Sequence, residues 1–239
     1  MSAAPLNLLL NLLMTALFPL VALQKKLPGL DWGLHELITP AGAFMVAALV
    51  PATYLLVQRW QSRKTSVLWL LVTVSTLLNA LMGFWWVSGL LFALKDSSGS
   101  LFLATCTGLS LVLRRPLFGF ILWEFLQPQG EVQQQVLRDF MEKGRGRQLV
   151  WFSTFLLCVK GLTVAGLNIS IKFQLVKSPF GTPDFNAQLA EAMTLMIPIA
   201  YLATLVTYSV LFLVWFLHLR PSLKLVLHRK HWFEVLQHR

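Results

Sequence analysis

Six stretches of this chain are apolar over close to twenty residues each: 5–23, 38–57, 66–86, 94–113, 149–171 and 192–217. No other feature limits the fold as strongly. A run of that length matches the roughly 30 Å hydrocarbon core of a bilayer, where backbone polar groups have no water to bond. Only helices and closed barrels satisfy that condition. A barrel would show alternating segments of about ten residues, whereas these blocks are continuous. The expected fold is therefore all-α, a polytopic transmembrane helix bundle of about six spans with amphipathic interfacial segments. Composition agrees: 13% of residues are charged, against about a quarter in soluble domains. The first 23 residues lack a cationic start and a good cleavage site, so they read as a retained first span rather than a signal peptide.

The net charge of +10 is concentrated beside the apolar runs. That position favours anionic lipid at a cytoplasmic membrane face and argues against nucleic acid. Fourteen of the twenty Lys and Arg fall on one side of a six-span arrangement: Arg59, Arg63 and Lys64, six within 114–148, and five from Arg220 onward. Five fall on the other side, and Lys160 lies inside the fifth run. The positive-inside rule then places both termini in the cytoplasm. The expected organisation is a bundle over 1–218 with an amphipathic linker at 117–148, followed by a basic amphipathic tail at 219–239.

The fourth run is short. Its clean part, 101–113, holds 13 residues and spans about 20 Å as a helix. To cross, it must begin near Leu94, which brings Lys95 and Asp96 to the membrane boundary. Asp96, Ser97 and Ser98 are good N-cap residues, so a capped, polar-headed helix is expected there rather than a long loop. Ionisable residues inside a membrane are functional candidates by default. Lys160 sits near the middle of the fifth run, and Asp96 and Glu191 are its candidate partners. Lys95, Asp96, Lys160 and Glu191 thus form the candidate intramembrane polar site. Asn79 and Asn168 are expected to make interhelical hydrogen bonds.

Arg114 and Arg115, followed by Pro116, form a cytoplasmic stop with the arginines at the headgroups. The next ten residues, 117–126, are too short to span and should lie in the interface or pack back. In 131–144, Val132, Val136, Leu137, Phe140 and Met141 recur at helical spacing and Gly144 is placed to end the helix. The tail mixes cations with aromatics, so Arg229, Lys230 and Trp232 read, with the two arginines, as membrane-surface anchors. Cys106 and Cys158 lie in apolar runs and read as small packing residues. No metal, cofactor or catalytic signature stands out: there is no H-E-x-x-H, G-x-S-x-G or Walker sequence.

The order Lys95-Asp96-Ser97, an apolar run, then Arg114-Arg115-Pro116-Leu117-Phe118 and a charged amphipathic linker resembles a family of uncharacterised bacterial inner-membrane proteins. That family is distantly similar to the intracellular septation protein A group. The resemblance implies a non-enzymatic, multi-pass protein of the bacterial inner membrane, tied to envelope maintenance or division through protein partners. The residues themselves leave a second expectation: a small transporter or lipid-handling protein using a polar site around Lys160.

Overall fold

The computed structural model describes residues 13–24, 33–62, 67–128 and 130–219. Every regular element among them is helical. A π-helical turn at Leu13–Leu17 leads into α1 (Phe18–Leu23), and α2 (Leu34–Leu37) precedes α3 (Pro40–Ser62) and α4 (Val67–Gly83). Then come α5 (Gly89–Asp96), α6 (Ser98–Val112), α7 (Leu117–Leu126) and α8 (Gly130–Glu142). Two long helices, α9 (Gly144–Leu175) and α10 (Pro183–Leu219), complete the described chain.

α9 and α10 are each long and apolar enough to cross a membrane. At 32 and 37 residues they measure about 48 and 56 Å, well beyond a hydrocarbon core. The pair α6 and α7 meets the same criteria together, but is bent by 99° between its halves. Pro40–Tyr54 and Thr73–Gly83 are shorter apolar stretches. The described helices therefore supply two candidate spans, or three with the bent pair.

The fourth run differs from its expected form. It does not begin as one helix near Leu94. α5 ends at Asp96, and α6 starts anew at Ser98 after a single-residue break. Ser97 stands at the break with φ −92° and ψ 1°. The apolar residues 89–94 ahead of the charged pair are themselves helical, because nothing before Ser97 interrupts the helical hydrogen-bond ladder.

The chain divides into two compact units. The first contains the described residues within Met1–Thr65, Trp69–Phe102 and Thr163–Tyr201. Its core is aromatic: Phe44, Phe92, Phe180 and Phe185 meet with ring centroids 4.8–6.4 Å apart. All five pairs are edge-on, the arrangement ring quadrupoles favour. Leu23, Ala47, Val176 and Leu189 close round them.

The second unit contains the described residues within Ser66–Leu68, Leu103–Leu162 and Leu202–Arg239. Leu122, Leu126, Leu137, Phe140, Leu149, Val150 and Trp215 form its core. The 117–126 segment is a helix that packs back, burying Gly119, Leu122 and Leu126. α8 buries Leu137 and Phe140 as its spacing predicts, while Val132 stays exposed. Gly144, at φ +55°, separates α8 from α9 in a conformation that other residues resist. Small residues let α6 approach α9: a Cβ on Gly161 would lie 3.0 Å from that of Ala104. The thiol of Cys158 donates to the Ala104 carbonyl at 3.4 Å, and both cysteines are free.

Candidate functional site

A cluster of polar side chains in the first unit lies at the α5–α6 break. Lys95 is 4% exposed. Its ammonium donates to the carbonyl of Trp85 in the segment before α5. The rings of Phe180, Phe44 and Phe92 lie 5.1, 5.5 and 5.5 Å from the same nitrogen. Cation–ring contacts of this kind are worth up to about 2 kcal/mol when desolvated. The aromatic core and the buried charge therefore stabilise one another.

Asp96, the next residue, forms an ion pair with Lys172 of α9. The Lys172 side chain is 7% exposed and that of Asp96 27%, so the carboxylate keeps some access beyond its partner. Ser97 bridges two helices: its hydroxyl donates to Ala93 O at 2.9 Å and accepts from Asn168 Nδ2 at 2.8 Å. Asn168 thus makes the interhelical bond expected of it.

The cap on α6 comes from elsewhere than expected. Asp96 closes α5, and the Ser97 hydroxyl is turned back along α5, so neither caps α6. Asn79 of α4 does so instead: its Oδ1 accepts from Gly99 N at 2.8 Å and from Ser98 Oγ at 2.9 Å. Glycine is required at 99 by this approach, since an added Cβ would sit 2.5 Å from Asn79 Nδ2 and 2.6 Å from Ser75 Oγ. The amide of Gly99, a buried residue at the helix start, is thus satisfied by a side chain from a neighbouring helix.

A cavity of about 220 Å³ opens beside this cluster. Asn79, Lys95, Asp96 and Thr76 supply its polar lining; Leu23, Phe44, Ala47, Pro51 and Met193 are among its apolar walls. At about 30 Å³ per water, that space holds several waters or one small solute.

Lys160 and Glu191 are not among the residues lining this cavity. Lys160 belongs to the second unit and is half-buried, its ammonium 5.5 Å from the ring centroid of Tyr208. Asp96 is paired with Lys172 and not with Lys160. Glu191 lies in the first unit, exposed along α10 rather than at its start. Arg114 and Arg115 follow α6 as the stop motif predicts, both exposed. Arg229, Lys230 and Trp232 lie outside the described residues.

Sequence reasoning missed Lys172, which counts among loop charges when only hydropathy is read. Its partner is 76 residues away, and no local pattern signals the pair. No family model matches the sequence, nor does any curated protein or solved structure.

Proposed function

We propose that this chain is a multi-pass protein of a bacterial inner membrane that binds a small anionic solute at the Lys95–Asp96–Lys172 cluster, without catalysing a reaction on it. In this reading six apolar segments cross the bilayer with both termini cytoplasmic, and the protein is a small transporter or a lipid-handling protein. One observation carries the proposal: two lysines and one carboxylate are gathered among apolar helices, and Lys95 and Asp96 line a cavity. Charges in such surroundings cost several kcal/mol and persist mainly where they serve a pathway or a ligand. The site is therefore placed at Lys95, Asp96 and Lys172 rather than around Lys160.

Envelope maintenance or septation through protein contacts, as the family resemblance implies, is the second reading. The mixed-charge outer face of α8, with Arg138, Asp139, Glu142 and Lys143 exposed, favours it. Against it, the apolar face of α8 is already used in its own unit's core.

Complementation of a deletion strain separates the two. Lys95→Met and Asp96→Asn, at wild-type abundance in the membrane, are expected to lose rescue, while reversing the α8 charges with Arg138→Glu and Asp139→Lys leaves it intact. The opposite pattern would overturn the solute-binding reading in favour of protein contacts.

A further inference from the structure

The second unit holds a cavity of its own, about 580 Å³, at the bend between α6 and α7. Three cations line it, Arg114, Arg115 and Arg147, with Glu142 the one carboxylate in the lining. Trp123 and Trp151 are among its apolar walls. Two features show that the arginines are placed, not incidental.

First, α6 ends in a Schellman motif: Arg115 N donates to Ser110 O and Arg114 N to Leu111 O, both at 2.9 Å. The residue at the left-handed position of that motif is usually glycine. Here it is Arg114, at φ +56°. The chain thus adopts an unfavourable backbone conformation at an arginine of the cavity's lining. Second, Arg147 lies in the first turn of α9, where the positive end of a 32-residue helix adds to its charge.

We infer that this cavity binds the phosphate of an anionic phospholipid, with the guanidiniums on the phosphate and the tryptophans against the glycerol and upper acyl chain. Arginine forks match phosphate oxygens in pairs. Tryptophan suits a ligand that is polar at one end and apolar along its length. Free phosphate would use the cations and leave the apolar walls unfilled. A net charge of +2 over the four ionised lining groups favours an anionic headgroup over a choline headgroup, although both carry a phosphate. The inference rests on the membrane reading and is independent of the solute site.

The full-length protein, purified in detergent, tests it through its unfolding temperature under three additions: short-chain phosphatidylglycerol, phosphatidylcholine of equal chain length, and inorganic phosphate. Phosphatidylglycerol is expected to raise the temperature in a saturable way, the other two not. Arg147→Gln should weaken the apparent affinity about tenfold, as expected for one charge-assisted contact. Arg114→Gly is the sharper variant. It removes the backbone strain, so it should match or exceed the parent's stability without lipid, yet lose lipid affinity by a similar factor. An equal response to inorganic phosphate or phosphatidylcholine would overturn the inference, as would unchanged phosphatidylglycerol affinity in both variants. Failure of the membrane reading would show separately, as protein that leaves the membrane fraction without detergent.

Discussion

Two lysines in apolar surroundings receive opposite treatment in the two units. Lys95, in the first, has a carbonyl acceptor and three aromatic rings, and the next residue carries an ion-paired carboxylate. Lys160, in the second, stands over one tyrosine ring. Among the described residues its ammonium has no hydrogen-bond or ion-pair partner. A long lysine side chain can carry its charge toward polar surroundings, so a half-buried position needs no dedicated acceptor. A nearly fully buried one does. The two units deal with helix breaks in one manner, however. Asn79 caps α6 in the first. In the second, Ser110 Oγ and Thr154 Oγ1 accept from the amides of Leu117 and Phe118 at the start of α7, at 3.0 and 3.1 Å. Gln188 does the same for Lys177 and Ser178 in the first unit, at 2.9 and 3.0 Å. Side chains stand in where water would serve a soluble protein.

The contrast between the units can be broken most forcefully at the ion pair. Lys172→Leu leaves Asp96 without its partner and should cost about 2–3 kcal/mol, somewhat below a fully buried pair because the carboxylate is partly open. The double variant Asp96→Leu/Lys172→Leu should recover most of that loss. Denaturant unfolding in mixed micelles measures both; additive losses in the double variant would show that the pair is not coupled. Next in size is the pair of single lysine variants. Lys95→Leu strands the Trp85 carbonyl and removes the cation–ring contacts, for about 1–2 kcal/mol, while Lys160→Leu should stay within about 0.5 kcal/mol. Equal losses would erase the distinction drawn between the units.

Smaller again are the hydrogen bonds that serve helix breaks and cores. Asn79→Ala should cost about 1 kcal/mol and speed hydrogen exchange at Gly99. Ser153→Ala, which strips the acceptor from Trp215 Nε1 (2.9 Å), should cost a similar amount, about 1 kcal/mol. Unchanged exchange at Gly99 would show that Asn79 is no cap. The smallest effect is expected at the surface of α8, where Lys143 pairs with Asp139 at 2.8 Å. The hydrogen bond that Lys143 Nζ donates to Asp139 Oδ1, and then the charge of Asp139, hold the Lys143 ammonium above its ordinary value of 10.5. A raised value stabilises the fold below the unfolded-state value, and that contribution is lost as pH rises through the folded-state value. Both groups are exposed and screened, so Asp139→Asn should leave unfolding at neutral pH unchanged.

Much of the helical content was legible in the chain, because apolar runs and helical spacing act over short distances. The runs at 149–171 and 192–217 lie inside α9 and α10. The spacing in 131–144 located α8, its buried face and its stop at Gly144. The polar head of the fourth run stands out in the sequence, but its inner architecture does not follow from it. A local cap at Asp96–Ser98 was the natural expectation, since those residue types cap their own helices in water. Only the proximity of α4 let Asn79 take that task and left Ser97 free to join α5 to Asn168.

Lys160 drew notice because a charge inside an apolar run is conspicuous, whereas Lys172 did not, because it lies at the end of one. What the sequence determined by itself was where helices form and which residues are too polar for their surroundings, since both depend on residues a few positions apart. What the tertiary structure decided was which polar groups meet. Asp96 meets Lys172, and Lys95 meets Trp85 and three phenylalanines, because desolvated charge is stabilised only by atoms within a few ångströms, and helix packing chooses those atoms.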